Sequence, residues 1–70
     1  MTLQAIVVRV RPGDLLVFDE STSQTVLVHT PRACRFRVGN CVSIFYNGIM
    51  TMSIPPQITA IKITRIPCFW

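Results

Sequence analysis

The residues in this chain best suited to orient a ligand lie between positions 46 and 57. Tyr46, Asn47, Thr51, Ser53 and Gln57 place three hydroxyls and two amides in an otherwise apolar stretch. A few convergent polar groups of this kind fix the orientation of a small molecule in a mostly apolar pocket. A second chemistry fits the same residues. Gly48 and the Pro55-Pro56 pair interrupt any backbone ladder here, and nearby hydroxyls can bond to the groups such breaks leave unpaired. That second reading needs no ligand.

A cationic set forms the other candidate site. Arg35, Phe36 and Arg37 are followed at a distance by Lys62 and Arg65, and Phe45, Tyr46 and Trp70 add further aromatic surface. Cations interleaved with rings are what a single-stranded nucleic-acid groove requires. All three acids (Asp14, Asp19 and Glu20) come before position 21, so the later basic residues have no acidic neighbours in a chain of net charge +4. Such a face attracts nucleic acid, an anionic ligand or an acidic protein, or it is simply a solvated basic surface.

Catalysis has little to work with. His29 and Cys34 stand five positions apart and suggest a nucleophile pair, but no residue is evident to orient the base or hold an oxyanion. The carboxylates sit on a turn and a hairpin end, where solvation is expected. Cys34, Cys41 and Cys68 are irregularly spaced, with no Cys-x-x-Cys and a single histidine, so neither a metal site nor a cofactor is expected. The chain reads as a non-enzyme.

Five strands must position these groups. Ile6, Val8 and Val10 alternate with Val7, Arg9 and Arg11 in a first strand over 3–11, ended by Pro12-Gly13. Leu15 to Asp19 and Gln24 to His29 read as a hairpin. Thr30-Pro31 could cap and open one helical turn. Val38-Gly39-Asn40 turns into a fourth strand, apolar on both faces and so expected to be covered on both. Gly48 is expected in a conformation that a Cβ disfavours. Gln57 to Ile66 makes the fifth strand. Ile6, Val8, Val10, Val26, Val28, Val42, Ile44, Ile61 and Ile63 are the expected core. Residues 1–70 read as one all-β domain, a small five-stranded OB-like barrel, with an SH3-like barrel as the alternative.

The run Val38-Gly39-Asn40-Cys41-Val42-Ser43-Ile44-Phe45-Tyr46-Asn47-Gly48 resembles the Val-Gly-Asp-x-Val-x-Ile-x-Tyr-x-Gly segment of small bacterial OB-like proteins. Its continuation to Ala60 is similar to a short family of Gram-positive bacteria in which Tyr-x-Gly leads through Ser-x-Pro to the last strand. Asn40 stands where that pattern has aspartate. The resemblance covers the C-terminal half and implies an OB-like barrel. It implies no activity.

Half of the 70 residues are hydrophobic and only 14% are charged, more apolar surface than so small a core can hide. The chain is therefore expected to self-associate, most simply as a dimer, with Phe69 and Trp70 at the interface and a protein partner as a further possibility. The first strand shows no signal-peptide plan and no apolar stretch approaches membrane-spanning length. A cytoplasmic protein with free thiols and no membrane contact is the expectation.

Overall fold

In the computed structural model, which describes residues 1–68, five strands close into a barrel. The strands are β1 (Thr2–Arg11), β2 (Asp14–Asp19), β3 (Gln24–His29), β4 (Cys41–Tyr46) and β5 (Gln57–Ile66). Their order around the barrel is β1-β2-β3-β5-β4. All neighbours are antiparallel except β3 and β5, which run parallel. This is an all-β, OB-like barrel, as the strand pattern implied. Among the described residues no helix is long and apolar enough to cross a membrane.

Two-residue turn chemistry sets the first hairpin. Arg11 and Asp14 are Cα partners across Pro12-Gly13, and Gly13 takes the positive φ (+84°) that the reversal needs. Between β3 and β4 a single 3₁₀ turn, Ala33–Arg35, crosses one end of the barrel and pushes Ala33 and Phe36 into the core. The expected helical turn is therefore present but displaced. Arg32 precedes it without a side-chain cap, while the Thr30 hydroxyl accepts from the Arg32 N–H at 3.2 Å and closes a separate small turn.

The core is filled by Ala5, Val7, Leu15, Val17, Val26, Val28, Val42, Ile44, Tyr46 and Ile58, joined by Ala33 and Phe36. Three expected core residues lie elsewhere: Ile6 is half-buried outside the core cluster, and Val8 and Ile61 are exposed. Two β-bulges explain this. In β1 the register steps from Val7↔Val17 to Arg9↔Leu16, which leaves Val8 as the extra residue. Ala5 and Val7 point inward before it, and Val10 packs against the core after it. In β5 the partners Phe45↔Lys62 and Tyr46↔Ala60 leave Ile61 unopposed. Each extra residue shifts the inward phase by one, so no single period-two frame follows the whole strand.

β4 departs from expectation in a smaller way. Its inward residues Val42, Ile44 and Tyr46 are buried, but on the outward face Phe45 is 48% exposed. Cys41, also outward, is covered because it bonds to Cys68 with a Cα–Cα distance of 5.5 Å. The expectation of free thiols fails for this pair, and Cys34 alone is free and exposed. The sheet register brings the pair together: Cys41 lies opposite Ile66, and the chain needs only Pro67 to reach bridging distance.

Candidate functional site

The loop from Asn47 to Pro56 gathers most of the polar residues singled out above. Gly48 holds φ +90°. Beside it the Asn47 Oδ1 accepts from the Ile49 N–H at 3.0 Å. The Thr51 and Gln57 backbones are tied twice: Thr51 N–H donates to the Gln57 carbonyl, and Gln57 N–H donates to Thr51 Oγ1, both at 3.0 Å. Ser53 Oγ donates to the Pro55 carbonyl at 2.9 Å and lies 2.7 Å from Thr51 Oγ1. A serine hydroxyl has one proton, so Thr51 must be the donor in that last contact. The result is a directed chain, Gln57 N–H to Thr51 to Ser53 to Pro55.

That chain spends both hydroxyl protons inside the loop. Tyr46 is buried in the core, with its backbone paired to Met1. His29 Nε2 lies 2.8 Å from Gln57 Oε1 and so donates to it. His29, Asn47, Thr51 and Gln57 border a hollow of about 130 Å³, smaller than the roughly 300 Å³ at which small-molecule sites begin. Of the five candidates, three meet at this hollow, Ser53 braces the loop and Tyr46 packs the barrel.

A larger cleft opens on another side. Its volume is about 400 Å³, and Thr30, Arg32, Arg35, Phe36, Ile61 and Lys62 are among the residues that line it, with no carboxylate among the described lining residues. Arg32 and Arg35 are three residues apart across the 3₁₀ turn, where side chains at that spacing stack on one side. Lys62 faces them from β5. Three of the five residues of the sequence-derived cationic set, Arg35, Phe36 and Lys62, therefore meet here. Arg37 and Arg65 are exposed and lie outside the lining. Phe36 is only 9% exposed, so its ring is floor rather than a free stacking platform.

No protein-family model, curated protein or solved structure matches this chain.

A third surface lies outside both sequence-derived sites. On the outside of β1, β2 and β3, Ile6 is the Cα partner of Phe18, and Leu16 joins Arg9 on one side and Leu27 on the other. Ile6, Leu16, Phe18 and Leu27 are half-buried but absent from the core cluster, so together they form an apolar sheet face that is partly open to solvent. The signal was in the sequence: Leu15-Leu16-Val17-Phe18 and Val26-Leu27-Val28 are apolar in both phases of the strand, and only one phase can face inward. Beyond this face, Met52 and Ile54 in the loop after β4 are each 100% exposed. The expected interface residues Phe69 and Trp70 lie outside the described residues.

Proposed function

We propose that this chain is a small, non-enzymatic protein-interaction module that pairs with a second copy of itself through the outer face of β1, β2 and β3. One observation carries the reading: Ile6, Leu16, Phe18 and Leu27 form a continuous apolar face that its own core does not cover. Burying apolar surface contributes roughly 25 cal/mol per Å², and a two-fold pairing covers the same patch on both copies at once. The resemblance of residues 38–60 to small Gram-positive OB-like proteins belongs to the same proposal and adds no activity to it.

Light scattering at high micromolar concentration tests it. The unaltered protein is expected at twice its monomer mass of 7.9 kDa. Phe18→Glu is expected to give a monomer that keeps its β-sheet circular dichroism. A monomeric unaltered protein overturns the reading.

A second reading, single-stranded nucleic-acid binding, is favoured by the meeting of Arg35 and Lys62 in one cleft that no carboxylate of the described residues lines. Anisotropy of a labelled oligothymidine at low salt tests it. Binding lost in Arg35→Ala, with a shallower salt dependence, supports it.

The cytoplasmic location expected from the sequence holds only if Cys41 and Cys68 are reduced in the cell, since cytosolic thiols are kept reduced. The disulfide favours an oxidising compartment. Thiol trapping at the moment of lysis decides between them.

A further inference from the structure

We infer that the free edge of β5, where it borders the cationic cleft, takes up an extended acidic segment of a partner protein by strand addition. β5 is ten residues long, and β4 pairs with it from Ala60 to Ile66. On its other side β3 reaches only from Gln57 to Thr59. Among the described residues, no backbone hydrogen bond outside the strand ladders involves positions 60–66. From Ala60 onward the strand therefore presents unpaired N–H and C=O groups on the side away from β4, the template on which a further strand forms.

The cleft supplies room and charge along the first part of that edge. Ala60 to Ile63 form one wall, and the segment carrying Arg32, Arg35 and Phe36 forms the other. Arg32, Arg35 and Lys62 bring three cations, and no carboxylate is among the described lining residues. Ile61, 63% exposed, and the partly buried Ile63 offer apolar contacts between them. An extended segment with acidic and apolar residues in alternation satisfies the backbone, the charges and the isoleucines together.

Edge lysines and bulges are also ordinary guards against unwanted pairing, and Lys62, Arg65 and the bulge at Ile61 fit that role. The two roles agree. A second copy of this chain adding along β5 brings Lys62 and Arg65 against their own kind, whereas an acidic strand meets no repulsion, so the guard also selects the partner. Nucleic acid fits less well. It offers no extended ladder of alternating donors and acceptors to the open backbone edge, and among the described residues the one ring lining the cleft, Phe36, is buried. This inference rests on the interaction-module reading only in taking the partner to be a protein, and its surface is separate from the self-association face.

The test uses the full chain carrying Phe18→Glu, labelled with nitrogen-15, so that failure to dimerise and failure to bind are read separately. Acetyl-Glu-Val-Glu-Val-Glu-amide is expected to shift the amides of residues 60–66, Arg32 and Arg35, and to slow hydrogen exchange along 62–66. Affinity is expected to fall at least tenfold for the lysine counterpart of the peptide, for the backbone N-methylated peptide, and for Arg32→Glu/Arg35→Glu. Equal binding of the N-methylated peptide overturns strand addition. Absence of any shift at millimolar peptide, or displacement of these same amides by oligothymidine but not by the acidic peptide, overturns the assignment of the partner.

Discussion

At the scale of single residues, the loop after β4 shows which sequence signals carry a unique physical meaning. Gly48 was legible because an apolar strand that stops at Asn-Gly demands a backbone few other residues can adopt, and φ there is +90°. A Cβ at Gly48 would also meet Met1 Sδ at 3.0 Å. Gly48→Ala is thus expected to destabilise by about 1 kcal/mol or more, read as a lower urea midpoint at unchanged slope. Gly13→Ala serves as a comparison, since its φ is also positive but nothing lies within 4 Å of the added methyl; a smaller loss there separates the Met1 contact from backbone strain alone. Thr51 was not legible in the same way. Its hydroxyl suits a ligand or a loop equally, and only the partner atoms decide. Thr51→Val removes the acceptor of the Gln57 N–H and the donor to Ser53 while keeping shape. Because the site is exposed and water can replace these bonds, a loss of about 1 kcal/mol is expected, measured by the same denaturation. No loss at all would mean that the chain of hydroxyls does not hold the loop.

At the scale of elements, strand existence and extent were plain in the sequence and strand phase was not. Apolar runs bounded by Pro12-Gly13, Glu20–Ser23, Gly39-Asn40 and Pro55-Pro56 mark five strands whichever face is inward. Phase requires knowing where a bulge falls, and a bulge is fixed by the partner strand rather than by the local residues. Val7 and Val8 are chemically identical neighbours, yet the register puts Val7 opposite Val17 in the core and leaves Val8 unopposed. Paired substitutions make this measurable. Val7→Ala opens a cavity among fully buried side chains and is expected to cost about 2 kcal/mol. Val8→Ala, at an exposed bulge, is expected to stay within about 0.5 kcal/mol of the parent. Equal costs at the two positions would place the bulge elsewhere. The outer face of β2 and β3 is hidden differently: both strands are apolar in both phases, so an apolar surplus is evident from the sequence while its place on the barrel is not.

At the scale of the whole molecule, the cysteines could not be read because sequence separation says nothing about which strand ends are adjacent. Cys41 opens β4, Cys68 follows the end of β5, and the β4–β5 register alone makes them neighbours. A barrel of 70 residues buries too little to be robust on hydrophobic contacts alone, and small domains commonly depend on such a bridge. The closed loop also changes how self-association is tested. Removing residues 68–70 breaks the bridge as well as the tail, so lost stability would masquerade as a lost interface; truncation has to stop after Cys68. The bridge itself makes the largest predicted difference. Its two cysteines are 27 residues apart, and restricting an unfolded chain over such a loop stabilises the folded state by roughly 3–4 kcal/mol in the chain-entropy model. Reduction, or Cys68→Ser, is expected to lower the urea midpoint by about 2 M or more, given a slope near 1 kcal/mol/M for so small a protein. Cys34→Ser, at an exposed free thiol, is expected to leave the midpoint unchanged. Midpoints that coincide with and without reductant would show that the barrel needs no bridge and that its stability comes from the core and from pairing between copies, in which case the midpoint would rise with protein concentration instead.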